Sequence, residues 1–536
     1  MTDKMWIKEI KQRIKSAPVI YVIIAVLLIV LIFRLLTNFS DNRRQMAIKS
    51  GEWDKLMLVL SQIDGNYVDS IDRKSITEEI IPVLLQKLDP HSLYLPPAEL
   101  KNADEALEGN FDGIGVQFNV PNDTAVIISV ITGGPSERAG ILSGDRIVRV
   151  NSEVVAGVKM HQDSLVKRLR GASGSTVKVG IKRGGVKELV YFDIKRDKIP
   201  VKSVDVSYMT DDSTGYIKLS KFSRTSHEEF LSALKSLASQ GMKRLIFDLR
   251  GNSGGYFDQS LLLSNEFLEK GQLIVYMQGM KRKRQDFHAN GKGIARNIEL
   301  KVLIDEGSAS SSEIFAGAIQ DNDRGTIIGR RSFGKGLVQE PIYFSDKSGL
   351  RLTVARFYTP TGRSIQKPYS DDYRYDILER YRHGEMTSAD SIRKNDSLKY
   401  ITRGGKTVYG GGGIIPDIFV PLDTAGVNKF FVNASNMGLP FKYSSTLADR
   451  YRRELNEVKD ITSLYKLIER INLEDGFLKY AALNKLVPEK REWEESREVI
   501  ITQIKALFGR YSVLDDLAFY PIMSGIDNVM IEAVRK

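Results

Sequence analysis

The chain has 536 residues, 42% apolar and 27% charged, enough for three or four domains with ordinary globular cores. Its 78 basic and 67 acidic residues leave a net charge of +11, spread along the chain rather than gathered into a nucleic-acid platform. There is no cysteine, which excludes disulfides, thiolate metal sites and cysteine nucleophiles, and the five histidines (91, 161, 227, 288 and 383) never fall at zinc-ligand spacing.

Near the N-terminus, Lys4, Lys8, Lys11, Arg13 and Lys15 precede an apolar run over residues 19–33, broken only by Tyr21. With Arg34 as a snorkelling end residue and Leu35-Leu36 beyond it, the run is long enough to span a bilayer. The basic flank predicts a cytoplasmic N-terminus and export of the rest. Leu35-Leu36-Thr37-Asn38-Phe39-Ser40 offers no A-x-A-like cleavage site, so residues 1–40 read as a basic stub and an uncleaved transmembrane helix.

Residues 41–99 form a helical segment: Leu56, Leu60, Ile63 and Tyr67 recur at helical spacing, and a second helix over 76–88 starts at Ser75. Asp89-Pro90-His91-Ser92 stops it, with His91 read as a turn-stabilising residue. From about Phe111 the period changes to two. Strands are expected at 113–118, 125–130, 146–150, 177–181 and 189–194, with one main helix over 161–169, giving a small β-rich unit over 100–196. From Gly215 strands alternate with helices, which predicts an α/β core, a mixed sheet flanked by helices, over 197–423. The basic run Lys281-Arg282-Lys283-Arg284 lacks interleaved aromatics and reads as a solvated loop or an anionic-surface contact. Residues 369–403 read as a polar surface excursion and Gly410-Gly411-Gly412-Gly413 as a flexible joint. Residues 424–536 are expected to be helical, and they carry no interpretable motif.

Two stretches carry chemistry. Gly307-Ser308-Ala309-Ser310-Ser311-Ser312-Glu313 follows an apolar strand and opens a helix, where free N–H groups favour a developing oxyanion. Three of its four serines are expected to do no more than cap. Phe333-Gly334-Lys335-Gly336-Leu337-Val338-Gln339 puts one lysine in a glycine-framed turn before a strand. With no histidine near either stretch, a base for the serine must be that lysine, kept neutral by burial among apolar flanks. Gln339, four residues on, shares its face if the segment is extended, and a neutral amide can orient the amine without fixing it as a cation. A competing nucleophile is Ser253 in Gly251-Asn252-Ser253-Gly254-Gly255, which fits G-x-S-x-G and raises an esterase alternative. That arrangement needs a histidine, and only His288 and His383 follow it, so the glycines read instead as a close-approach loop.

These motifs and their order resemble the carboxyl-terminal processing, or tail-specific, proteases. The likeness runs from about Leu56 to Leu422 and takes in Leu88-Asp89-Pro90-His91-Ser92-Leu93-Tyr94-Leu95, Gly113-Ile114-Gly115-Val116, Asp248-Leu249-Arg250-Gly251-Asn252-Ser253-Gly254-Gly255, the serine and lysine stretches, and Thr359-Pro360-Thr361-Gly362-Arg363-Ser364-Ile365. The resemblance implies a crotonase-like protease core with an inserted PDZ domain, no cofactor and no metal. It implies Ser310 as nucleophile, Lys335 as base and Gln339 as orienting amide. The backbone N–H groups of Gly255, with Gly254 as its lesser neighbour, and of Ser311 would form the oxyanion hole. Serine replaces the family's usual alanine at 311, which changes no backbone donor. Asp321 is expected to be structural. The PDZ unit would bind protein or peptide C-termini by strand addition, capturing the carboxylate on backbone N–H groups around Gly113, Ile114, Gly115 and Val116, with an apolar pocket lined by Ile114 and Val116. Arg170 becomes a candidate link between peptide loading and the core. A bacterial inner-membrane protein, single-pass, with its catalytic domain in the periplasm is the implied setting. An adaptor protein or a second copy are candidate partners, and a catalytically inactive PDZ scaffold is the alternative from another class.

Overall fold

The computed structural model describes residues 22, 24–32, 51–120, 123–369 and 373–535. Among them no helix is long and apolar enough to cross a membrane. Of the expected anchor, Val22 and residues 24–32 are helical and exposed, and the remainder lies outside the described residues. The chain divides into two units, residues 1–84 and 85–536. In the first, helix Glu52–Asn66 buries no side chain. Helix Arg73–Gln86 runs across the division.

In the second unit the core is built on a six-stranded sheet in the order Val204–Met209, Thr214–Leu219, Arg244–Asp248, Glu299–Ile304, Thr326–Gly329, Ile418–Phe419. The first pair is antiparallel and the others parallel. Period-two alternation sorts its side chains to opposite faces. Ile217, Leu219, Leu245, Phe247, Val302, Ile304 and Ile327 meet helices Ser226–Ser239, Phe257–Asn265 and Ser311–Asp321, where Phe230, Phe247, Phe267 and Phe315 make edge-on aromatic contacts. Tyr216, Ile246, Leu303 and Ile328 face the other way and are covered by Val529, Met530 and Ala533 of helix Asn528–Val534. A second sheet centres on Gly349–Tyr358, which pairs with Leu93–Leu95, Leu337–Tyr343 and Leu273–Gln278.

The PDZ unit is an antiparallel sheet in the order Val116–Asn119, Ala125–Val130, Arg146–Val150, Thr176–Lys182, Val190–Lys195, with helix Gln162–Leu169 beside it. Val116–Asn119 is an edge strand with one side open. Strands Asn110–Gly113 and Asp197–Pro200 pair at the point where the chain enters and leaves, and helix Pro97–Glu108 precedes them.

The C-terminal region is helical, with its own core around Phe430, Tyr443, Phe477 and Phe508. It reaches both neighbours. Toward the PDZ unit, Asp449 pairs with Arg146, Arg452 donates to Ser143 O at 2.7 Å, and Ile128 packs on the helical core. Gly144 has φ 82°, which favours glycine, and a Cβ there would push the Arg452 guanidinium out of this contact. Toward the α/β core, Asp527 receives Arg250 Nη1 at 3.0 Å.

Two expectations are corrected. The glycine run is no free joint: Gly411 N–H donates to Ser364 O at 2.7 Å and Gly413 N–H to Ile365 O at 2.8 Å. The polar excursion is not all surface either. It contains helix Asp376–Arg382, and Arg380 and Glu385 are buried as an ion pair at 2.8 Å, with Met386 and Ile392 buried beside them.

Candidate active site

Strand Glu299–Ile304 ends at a tight turn in which Ser308 N–H donates to Asp305 O, and the chain then enters helix Ser311–Asp321. Three serine hydroxyls hold this corner: Ser308 Oγ donates to Leu249 O (2.8 Å), Ser311 Oγ to Gly255 O (3.1 Å) and Ser312 Oγ to Asn252 O (2.8 Å). Ser310, half-buried at the N-cap, has φ 55° and ψ −111°. A positive φ costs a non-glycine residue of order 1–3 kcal/mol, so this strand-to-helix turn holds Ser310 under backbone strain.

The glycine loop lies against this corner. Asn252, fully buried, donates to Leu219 O (2.8 Å), and its carbonyl accepts Ala309 N–H (3.0 Å). Gly254 N–H is used by Asn252 Oδ1 at 2.9 Å, whereas among the described residues Gly255 N–H and Ser311 N–H have no acceptor. A Cβ on Gly254 would come within 2.8 Å of Ser310 Cβ, and one on Gly255 would overlap the Phe222 carbonyl oxygen. Ser253 is exposed, and it is hydrogen-bonded to neither His288, on strand Gln285–His288, nor His383, whose Nδ1 bonds Glu379 O.

The lysine turn is joined to the serine turn by one buried carboxylate. Glu313 Oε2 accepts Ser310 N–H (2.8 Å) and Lys335 N–H (2.9 Å), while Oε1 accepts Ser332 Oγ (2.5 Å) and Gly334 N–H (2.7 Å). Burial pushes the Glu313 carboxyl up and those four donors pull it back, with burial the larger effect. Sequence reasoning had taken Glu313 only as part of a helix start. Its signal is an acidic residue at N3 of a helix that will be buried whole.

Lys335 Nζ donates to Gln339 Oε1 at 2.9 Å, and Gln339 Nε2 donates to His91 O at 2.5 Å. Ser310 Oγ and Lys335 Nζ are not hydrogen-bonded to each other here; the amine is directed to Gln339. Burial lowers the pKa of Lys335, and nearby Arg351 lowers it further, against the opposing pull of Glu313 and Asp89. Asp89 shapes the His91 turn by accepting His91 N–H (2.8 Å), Ser92 N–H (2.7 Å) and Ser92 Oγ (2.7 Å). The His91 ring, half-buried and beside Lys335, has its pKa lowered to about 4 by partial burial and by that amine.

Asp321 lies away from this chemistry: it forms a fully buried pair with Arg363 at 2.7 Å and accepts Thr361 N–H and Oγ. In the PDZ unit, Ile114 is part of the hydrophobic core, 4% exposed, so its side chain does not wall an open pocket; Val116 packs partly against that core. Gly115 has φ 74° and Gly113 abuts the Phe111 ring. Arg170 bonds Glu105 on helix Pro97–Glu108 at 3.1 Å and lies 4.4 Å from the Phe111 ring centroid. Among the described residues no group of acidic, histidine or cysteine side chains could hold a metal ion.

Residues 213–375 match the model of peptidase family S41, and residues 113–194 match the PDZ domain. Carboxy-terminal processing protease CtpA of Bacillus subtilis (strain 168) is 34% identical over 335 residues, covering 62% of this chain and 71% of that protein. The carboxy-terminal-processing protease of Bartonella bacilliformis is 34% identical over 346 residues, covering 63% and 77%. Among solved structures, the photosystem II D1 C-terminal processing protease is 25% identical, covering 70% of this chain and 88% of that one, with a TM-score of 0.37. The chain belongs to the carboxy-terminal processing proteases of peptidase family S41 and is a serine protease with a PDZ domain.

Proposed function

We propose that this protein is a membrane-anchored, cell-envelope endopeptidase that captures apolar protein C-termini on its PDZ unit and cleaves them with Ser310, Lys335 and Gln339. The observation that carries the catalytic half is the Glu313 carboxylate, which bonds Ser310 N–H and Lys335 N–H at 2.8 and 2.9 Å and so fixes one turn against the other. In this reading the neutral Lys335 amine takes the Ser310 hydroxyl proton as the oxygen attacks the scissile carbonyl carbon. The N–H groups of Gly255 and Ser311, without an acceptor among the described residues, receive the oxyanion. Collapse breaks the C–N bond, and the Lys335 ammonium returns its proton to the leaving amine. Water then hydrolyses the acyl-enzyme with Lys335 again as base.

Membrane anchoring rests on the basic residues before the apolar run over 19–33, which also favour an inner-membrane protein with its catalytic domain on the periplasmic side. Peptide capture is supported by the open edge of Val116–Asn119 beside the Gly113–Val116 turn.

The test is casein hydrolysis by the full chain in detergent, as wild type, Ser310→Ala, Lys335→Ala and Ser253→Ala. Loss of at least about 10³-fold is expected for the first two variants and none for the third. Turnover by Lys335→Ala near the wild-type rate would remove the lysine as base.

A further inference from the structure

The segment read from sequence as a surface excursion is fastened to both sides of the lysine turn. Tyr373 Oη lies 2.6 Å from His91 Nε2, and the carbonyl of that same His91 receives Gln339 Nε2. Tyr373 Oη also accepts Gln366 Nε2 at 3.3 Å, and Gln366 Oε1 accepts Gly336 N–H at 2.9 Å. The bonds therefore close a ring, running from Lys335 through Gln339, His91, Tyr373 and Gln366 to Gly336, the residue after the lysine. The residue before the turn is held from the same segment. Arg380, 5% exposed, donates to Ser332 O at 3.0 Å and to Arg331 O at 2.6 Å, and Ser332 Oγ in turn bonds Glu313. Between these anchors Lys367 Nζ sits 4.1 Å from the Phe333 ring centroid and 4.2 Å from that of Tyr373, with Asp376 at 3.0 Å.

Buried, paired side chains that converge on the backbone either side of one residue are costly unless they hold something in place. Resting on the serine–lysine reading, we propose that residues 373–385 brace the lysine turn, and that Tyr373 is a positioning residue which aims the Lys335 amine through His91 and Gln339. Tyr373 touches neither Ser310 nor Lys335. Through His91 it sets the plane of the Gln339 amide, and that amide covers the amine. A displaced amine loses rate out of proportion to the distance moved, because proton transfer needs hydrogen-bond geometry.

Tyr373→Phe keeps the ring over Lys367 and removes only the hydroxyl. The expected result is a fall in kcat of about tenfold with KM within about twofold of wild type. The limb on which activity rises with pH should also move upward by roughly half a unit to one unit, as water reaches the amine and its burial penalty relaxes. The charged groups facing Lys335 are Arg351 from strand Gly349–Tyr358, Glu313 from the serine helix and Asp89 from the His91 turn. None of these is altered, and the His91 ring, which also feels Lys335, has its pKa lowered to about 4 and is neutral across the limb, so the shift reports hydration and aim of the amine. Gln366→Leu, cutting the other arm of the ring from outside the segment, should give the same kcat loss and limb shift. The double variant should be no worse than the poorer single one, since both act through one ring. Wild-type kcat and limb position in both single variants, with Lys335→Ala inactive, would overturn the brace and leave the serine–lysine reading intact. An active Lys335→Ala would overturn the serine–lysine reading and take the brace with it.

Discussion

Lys335 and Gln339 stand four residues apart, and the amine of the first donates to the amide oxygen of the second at 2.9 Å. An amide oxygen attracts the ammonium form only weakly, so burial and Arg351 still leave the Lys335 pKa below its ordinary value. A carboxylate in the same place would stabilise the charged amine and so oppose the base role proposed for it.

Gln339→Glu should therefore shift the pH limb of kcat upward and cut activity at neutral pH by about 10- to 100-fold, whereas Gln339→Ala should lower kcat without an upward shift of that size. Rate profiles from pH 5 to about 10 separate the two; coincident limbs would remove Gln339 from this role.

Arg351→Ala tests the sign directly. Arg351 holds the Lys335 pKa down, so its removal should let that pKa rise and carry the activity limb to higher pH. Because the folded pKa is depressed, the unfolded chain binds the extra proton between the folded value and the ordinary lysine range. Stability in that window rises with pH, and Arg351→Ala should flatten the rise. Denaturant melts across alkaline pH read it.

Glu313→Gln replaces an oxygen that accepts two hydrogen bonds by an NH₂ that must face donors. Two of the four donors, Ser310 N–H and Lys335 N–H or Ser332 Oγ and Gly334 N–H, then lose their acceptor. A stability loss of about 1–3 kcal/mol is expected, together with activity lowered by about 10²-fold. A variant as stable and as active as wild type would show that the two turns do not need this link.

Asp321→Ala leaves Arg363 charged and fully buried. The cost should be about 3–5 kcal/mol in a chemical melt. Residual specific activity of the folded fraction should be near normal, since Asp321 lies outside the serine–lysine constellation.

Amidating the C-terminus of an apolar-tailed peptide should weaken its binding by at least about tenfold, while acetylating its N-terminus should not. The carboxylate makes charge-assisted bonds to backbone N–H groups, and amidation removes the charge. Fluorescence anisotropy with Ser310→Ala protein measures capture without cleavage; equal affinities would shift recognition to the protease groove.

The serine turn is legible because it follows an apolar strand and opens a helix, and the lysine turn because two glycines frame it before a strand. The alternation of strands with helices from Gly215 onward also foretold a sheet flanked by helices. What joins those turns was not legible. Glu313 is three residues from Ser310 in sequence but 22 from Lys335, and only tertiary closure makes it common to both. Tyr373 and His91 are 282 residues apart. Arg380 and Glu385 read as surface because composition counts charges without showing that they pair in the interior. Ile114 failed as a pocket wall for a related reason: an apolar residue beside a binding turn serves the PDZ core first.

The helical C-terminal region grips the PDZ unit at Asp449 and Arg452 and the protease core at Asp527, while helix Pro97–Glu108 reaches the PDZ unit from its other end through Glu105 and Arg170. A domain secured at both ends cannot trail behind its cargo as if on a string. In this conformation, the distance from the Gly113–Val116 segment proposed to hold tails to Ser310 is set by the architecture. The enzyme would then measure as well as cut. Peptides of one sequence but growing length should lose the same number of residues from their tails, as cloth trimmed against a fixed stop.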